Sequence, residues 1–301
     1  MSTRRLSLLA AFGLLATTAA WGSTFFLIRD LLDRVPTLDF LAVRFAIAGL
    51  VMLAVAPRAL SRLSPTTRRR AVVLGVLYGV AQILQTAGLA HTAASVSGFI
   101  TGMYVVATPL FAALILRTRL TPWVWGAVAL AAAGLGVLTL DGFSIGYGEA
   151  ITLVASMIYA LHIVGLGAWS TPSEALGMSV LQLLVIAAIC WIATAPDGVV
   201  LPSTSRDWWS VLYMALVAGA LALLTQTWAQ AHLSPTTSAI VMSMEPVFAA
   251  LFAVTLGSEA PTARMAVGGL MVVGAMLLVV APTDRRGRGE PLDGQVQHLA
   301  V

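Results

Sequence analysis

The chain has 301 residues, of which 59% are hydrophobic and only 10% charged, against roughly 45–50% and about 25% in soluble domains. With a mean hydropathy of +0.92 there is too little polar surface to solvate a globule, which excludes a soluble enzyme or binding module and indicates an integral membrane protein. The formal net charge of +4 comes from arginines at the ends of apolar runs, where membrane orientation explains them and nucleic-acid binding does not.

A bilayer-crossing helix needs about 20 apolar residues. Ten segments qualify, at roughly 6–28, 38–56, 71–91, 93–116, 121–140, 147–169, 174–194, 208–231, 236–256 and 262–281. Helix breakers stand between most of them: Pro36, Pro57 with Pro65, Pro122, Asp141-Gly142, Pro172, Pro196 with Pro202, Pro235 and Pro261. The first segment follows Arg4 and Arg5 and contains Thr17-Thr18-Ala19-Ala20, as a signal peptide would. It continues to Ile28, however, beyond the apolar core of about 7–15 residues that a signal carries, and is expected to remain as a membrane helix. Cys190, the lone cysteine, sits inside an apolar run and reads as a small buried hydrophobe. Residues 283–301 are polar and rich in Gly and Arg, and are expected to form a disordered cytoplasmic tail.

All seventeen basic residues are arginines. With the N-terminus inside, twelve of them fall on the cytoplasmic side: Arg4, Arg5, Arg58, Arg62, Arg68, Arg69, Arg70, Arg117, Arg119, Arg285, Arg286 and Arg288. Four fall outside (Arg29, Arg34, Arg206, Arg264), and Arg44 lies within the second segment. This positive-inside bias supports ten helices with both termini cytoplasmic. Dropping or adding one helix would scramble it.

The chain also repeats itself. Gln85-Thr86-Ala87-Gly88-Leu89-Ala90-His91 returns as Gln226-Thr227-Trp228-Ala229-Gln230-Ala231-His232. The apolar run that follows carries Pro109-Leu110-Phe111-Ala112-Ala113-Leu114 in one copy and Pro246-Val247-Phe248-Ala249-Ala250-Leu251 in the other. A period this long is a whole half-protein repeated, giving a first repeat over 6–140 and a second over 147–281. Five helices per half is an odd number, so the second copy must sit inverted in the bilayer. The expected fold is therefore an all-α polytopic membrane protein of ten transmembrane helices arranged as two inverted five-helix repeats, an architecture of secondary transporters.

Polar stripes recur on four segments at helical spacing: Tyr78, Gln82 and Gln85; Ser97, Thr101, Tyr104 and Thr108; Thr152, Ser156 and Tyr159 with His162; Ser238, Met242 and Glu245. Any one Ser or Thr reads first as an interhelical hydrogen bond, worth about 0.6 kcal/mol. Four segments sharing the pattern point to a common polar cavity. Its expected substrate-binding residues are Trp21, Arg44, Tyr78, Gln82, Thr101, Tyr104, Tyr159, His162, Met242 and Glu245, with helix breaks at Pro109 and Pro246.

Glu245 is the sharpest of these. It lies near mid-membrane, where a carboxylate costs several kcal/mol unless paired or protonated. Pro246 removes a backbone donor and frees the carbonyl of Met242. Thr108-Pro109 is the matching dipeptide of the first copy, and paired helix breaks are the best sequence pointer to a transport site. Arg44 either snorkels to the interface or turns inward as a counter-ion for Glu245 or for an anionic substrate. His162 is a proton relay or a neutral hydrogen-bonded ring. Trp21, Trp228 and Tyr104 are candidates to wall the cavity, and Trp123, Trp125, Trp208 and Trp209 read as interfacial anchors. Small residues (Ala132, Gly134 and Gly136; Gly268, Gly269 and Gly274) make a scaffold of the fifth and tenth segments.

Several of these motifs together resemble the EamA-type drug/metabolite transporters: Trp21-Gly22-Ser23-Thr24-Phe25, Arg44-Phe45, the two Pro-x-Phe-Ala-Ala-Leu runs, Gly257-Ser258-Glu259 and the glycine-rich last segment. The resemblance spans about residues 8–281. It implies ten helices, cytoplasmic termini and a central cavity for small metabolites, often moved outward. Arg117-Thr118-Arg119 departs from the Gly-x-Glu common at that place in the family, which leaves Glu259 as the second-half match.

The leading expectation is a secondary transporter, an exporter of a small metabolite such as an amino acid, working by alternating access in the inner or plasma membrane. The chain has no Gly-x4-Gly-Lys-Ser/Thr loop and no His-Glu-x-x-His, so ATP hydrolysis and zincin-type intramembrane catalysis are not expected. An intramembrane enzyme and a membrane sensor or assembly subunit remain the alternatives. The expected partners are the small-molecule substrate, the lipid bilayer and a candidate coupling proton, with no nucleic acid, cofactor or metal, and the chain acts as a monomer or homodimer. Topology reporters fused at Arg69 and Arg286 should read cytoplasmic and one at Asp197 outside. An outside signal at Arg286 would mean an odd helix count and remove the inverted repeat.

Overall fold

A computed structural model describes residues 3–117, 122–139, 146–196 and 198–280, and is helical throughout with no strand among them. The expected tail at 283–301, the Asp141-Gly142 breaker and Arg119 lie outside the described residues. In chain order the helices are α1 (Thr3–Leu31), α2 (Thr37–Val55), α3 (Pro65–Leu89), α4 (Ala94–Thr101), α5 (Tyr104–Leu116), α6 (Pro122–Thr139), α7 (Tyr147–Trp169), α8 (Ala175–Thr194), α9 (Ser205–Ala215), α10 (Ala222–Gln230), α11 (Pro235–Met242), α12 (Glu245–Thr255) and α13 (Ala263–Val280). A π-turn, Leu216–Leu221, joins α9 to α10. Among the described residues seven spans are long and apolar enough to cross a membrane: those of α1, α2, α3, α4 with α5, α7, α8, and α9 with α10. Large apolar side chains such as Phe12, Leu114, Ile192 and Leu270 stand exposed on the outside of the bundle, as hydrocarbon rather than water requires.

Helix boundaries follow local chemistry. The third helix starts at Pro65, earlier than the apolar pattern alone indicates. Ser64 caps it by accepting the Thr67 N–H at 3.1 Å, and Pro65 occupies the first turn, where its missing donor costs nothing. Arg68, Arg69 and Arg70 therefore belong to the helix rather than to the loop before it.

The two halves of the chain interlock rather than sit side by side. α2 packs on α8, α6 on α13, α4 on α12, α5 on α11 and α3 on α7. Polar ties between connections reinforce this. Arg34 grips the Asp207 carboxylate at 2.7 and 3.3 Å, and the Val200 N–H donates to Asp39. Thr92 donates to Glu149, Glu259 accepts the Ala94 N–H, and Glu174 accepts from Ser64 and Thr67.

Where α3 crosses α7, Gly88 and Gly148 bring the two backbones together. A Cβ on Gly88 would lie 2.7 Å from the Gly148 carbonyl oxygen, and one on Gly148 would lie 2.8 Å from that of Gly88. Neither backbone can yield. Gly88→Ala should therefore destabilise the protein by about 1–3 kcal/mol, read as a lower thermal midpoint in detergent micelles. Gly126→Ala, where an added Cβ meets nothing within 4 Å, should hold or slightly raise the midpoint.

Candidate functional site

Two helix interruptions organise the centre. In α4–α5 the Val105 N–H bonds to Gly102 rather than to Thr101, so the Thr101 carbonyl loses its helical partner. Ser156 of α7 fills it, donating at 2.9 Å. In α11–α12 Pro246 has no N–H to offer Met242. The Tyr104 hydroxyl fills that carbonyl at 2.7 Å and lies 3.0 Å from Glu245 Oε2. Each half thus leaves one carbonyl open, and a hydroxyl from the other half closes it.

The first interruption corrects the sequence-based placement. Pro246 does stand in the first turn of α12, directly after its break. Pro109 instead lies inside α5, and the first-half break falls earlier, at Gly102–Met103. Gly102, with its low helix propensity, suits the tightened turn there.

Around these breaks is a buried cavity with about 570 Å³ free of atoms; it is narrow, and the centre of a water molecule can move through about 40 Å³ of it. All ten residues singled out from the sequence line it: Trp21, Arg44, Tyr78, Gln82, Thr101, Tyr104, Tyr159, His162, Met242 and Glu245. They come from α1, α2, α3, α4, α5, α7, α11 and α12. Phe25, Ile28, Leu89 and Ile163 supply an apolar wall.

Arg44 is 2% exposed and Glu245 5%. Among the described residues no ion pair joins them within 4.0 Å. Arg44 Nε donates instead to the Met214 carbonyl at 3.1 Å, and its guanidinium carbon lies 5.1 Å from the Phe45 ring centre and 5.8 Å from that of Phe40. Trp21 Nε1 donates to the Ala218 carbonyl at 2.8 Å. Both anchors are carbonyls of the α9–π-turn segment, where the regular ladder is displaced. Tyr78 packs between Phe45, Tyr159 and His162. The His162 Nε2 meets Gln182 Oε1 at 2.8 Å, so this ring is hydrogen-bonded to protein on one side.

Other residues of the polar stripes do structural work. Thr108 and Thr152 donate to carbonyls four residues back, and Ser156 closes the Thr101 carbonyl. Trp228 packs at a tilt against His232, outside the cavity lining, and His91 meets Tyr147 edge-on. Trp123, Trp125 and Trp209 are exposed near helix ends. Gln226, Thr24 and Thr86 also line the cavity without having been singled out. Gln226 carried a signal, since it opens the second copy of the duplicated passage.

Residues 8–140 and 146–281 each match the model of the EamA-like transporter family. An uncharacterized transporter of Archaeoglobus fulgidus is 28% identical over 281 residues, spanning 90% of this chain and 86% of that protein. The uncharacterized inner membrane transporter YedA of Escherichia coli K12 is 28% identical over 265 residues, 84% of each chain. A solved crystal structure at 18% identity shares the fold, with a TM-score of 0.70 over 93% of this chain and 99% of the other.

The carbonyl closures can be checked without any ligand. Tyr104→Phe strands the Met242 carbonyl and Ser156→Ala strands that of Thr101. Each should lower stability by about 1–3 kcal/mol, the cost of a buried polar group left unpaired, measured by thermal unfolding in micelles. Wild-type midpoints in both variants would show that the open carbonyls are satisfied some other way.

Proposed function

The chain belongs to the EamA-like transporter family, and we propose that it is a secondary transporter that carries a small zwitterionic metabolite, such as an amino acid, out across the inner or plasma membrane by alternating access. Ten membrane helices form two inverted five-helix repeats: α1, α2, α3, α4–α5 and α6, then α7, α8, α9–α10, α11–α12 and α13. Both termini are cytoplasmic. Five polar ties between connections of the two halves support this topology. Arg34 with Asp207, Asp39 with Val200, Thr92 with Glu149 and Ala94 with Glu259 each join two segments it puts outside, and Glu174 with Ser64 and Thr67 joins two it puts inside.

One observation carries the substrate class: a buried arginine and a buried carboxyl share one narrow cavity without pairing to each other. Charges held apart in this way are costly to bury. A molecule with an anionic end for Arg44 and an ammonium for Glu245 relieves both at once. The apolar wall of Phe25, Ile28, Leu89 and Ile163 takes its remainder. Outward direction follows the family resemblance, and a proton exchanging at Glu245 is the candidate coupling ion.

Purified protein in proteoliposomes loaded with an unlabelled amino-acid mixture should exchange it for external labelled amino acids. Arg44→Met should cut this counterflow about tenfold or more, the loss of one charge-assisted hydrogen bond. Glu245→Gln should abolish both counterflow and proton-driven accumulation, because the contact to the amine is gone. Counterflow that survives with accumulation lost would assign Glu245 to the coupling proton instead. Full activity in both assays would leave it a structural residue.

A further inference from the structure

Gln85 and Gln226 occupy the same place in the two copies of the duplicated passage, yet their amides are used differently. Each faces the last residue of the half-helix that follows, Thr101 for Gln85 and Met242 for Gln226. The Gln85 amide is filled at both ends: Nε2 donates to Thr101 Oγ1 at 3.0 Å, and Oε1 accepts from the Tyr159 hydroxyl at 2.8 Å. At Gln226, Nε2 points to Met242 Sδ at 3.9 Å. A thioether accepts and cannot donate, so the nitrogen must be the end that faces the sulfur. The oxygen is then turned away, and Gln226 Oε1 has no partner although the residue is 2% exposed.

Three protein donors in the same wall are already engaged. The Trp21 indole donates to the Ala218 carbonyl, Thr24 to the Trp21 carbonyl, and the single Tyr104 O–H to the Met242 carbonyl, with Glu245 Oε2 3.0 Å from the same oxygen. A second cavity atom shares the condition. Gln182 gives its Nε2 to the Met178 carbonyl, so its Oε1 must accept from His162 Nε2–H. That leaves His162 Nδ1 a lone-pair atom without a partner. Gln230 Oε1 is also unpaired, but its residue does not line the cavity. Among the described residues, the two unpartnered buried side-chain atoms that belong to cavity-lining residues are thus both acceptors.

We propose that Gln226 is the specificity-determining acceptor of the cavity, reading an N–H of a bound primary ammonium, with His162 Nδ1 as a second acceptor, while its twin Gln85 is structural. The inference rests on the cavity being the transport site and adds which residue selects the amine. A ligand that offers a donor satisfies an acceptor the protein leaves empty, and one with no N–H leaves it stranded.

The test uses methylammonium and tetramethylammonium chloride, two monovalent cations of which only the first has N–H groups. Thermal unfolding of the full chain in micelles is followed at matched ionic strength. Methylammonium should raise the wild-type midpoint and tetramethylammonium should not. Gln226→Met removes the unpaired oxygen at similar volume, so it should raise the midpoint of the ligand-free protein while weakening methylammonium binding about fivefold or more. Gln85→Met should do the reverse, lowering the ligand-free midpoint and keeping the methylammonium response. Equal response to the two salts, an unchanged methylammonium response in Gln226→Met, or a midpoint lowered by Gln226→Met as by Gln85→Met would each overturn the proposal. Amino-acid counterflow plays no part in this readout, so the zwitterion reading and the role of Gln226 stand or fall separately.

Discussion

The cavity exists because two helix carbonyls are left without their own backbone donors and are then closed by hydroxyls from the opposite half. Tyr104 closes Met242, and Ser156 closes Thr101. In apolar surroundings an open carbonyl has no water to turn to, so irregular backbone persists only where protein or a cavity satisfies it. Both closures cross between the halves. They let α4–α5 and α11–α12 be interrupted at their centres without unravelling, and the interruptions carry Thr101, Tyr104, Met242 and Glu245 to the cavity surface.

The same economy holds Arg44. Its nearest partners are the Met214 carbonyl and the faces of Phe40 and Phe45 rather than a carboxylate. Ring quadrupoles and a carbonyl dipole stabilise a cation without cancelling its charge. The π-turn after α9 supplies this arrangement, since displacing the ladder turns Met214 and Ala218 toward the side chains of Arg44 and Trp21. An acidic partner at the same place would have neutralised Arg44. With carbonyl and aromatic partners, the cation and the Glu245 carboxyl both remain for a third party.

Much of this was legible in the sequence because membrane helices impose strict rules. Polar side chains in an apolar segment must face protein or a cavity, so stripes at helical spacing picked out eight of the ten residues that line one space, and Trp21 and Arg44 were added as an aromatic and a charge inside apolar runs. The duplicated passage pointed to the same region. Other features left no such trace. The π-turn at Leu216–Leu221 has no proline, and its lone Gly219 resembles any packing glycine. The first-half break was assigned to Pro109 because proline is the loudest breaker, yet Gly102–Met103 breaks the helix and α5 tolerates Pro109 in its interior. Whether Arg44 pairs with Glu245 also depends on Arg44 finding the Met214 carbonyl and Glu245 the Tyr104 hydroxyl, which spacing along the chain does not encode.

Near-identical pieces in the two halves are put to unequal use. The helix boundaries revise the pairing that the prolines pointed to: α4 and α5 start at one constant offset from α11 and α12, so that Gln85, Thr101 and Tyr104, and not Thr108, correspond to Gln226, Met242 and Glu245. The first three satisfy one another or the opposite backbone, whereas the second three present an open carbonyl oxygen, a soft sulfur and a carboxyl. On the proposed function, one repeat is the framework and the other the recognition surface. Tyr104 and Glu245 are counterparts by that offset and they also touch, at 3.0 Å. Under the proposed two-fold relation between the repeats, counterpart residues that touch must lie close to the axis itself. Tyr104 belongs to one half and Glu245 to the other, so under the proposed alternating access any rocking of one repeat against the other acts on this contact. The Tyr104–Glu245 contact is consequently the place where occupancy of the cavity and the relative position of the halves bear on each other most directly.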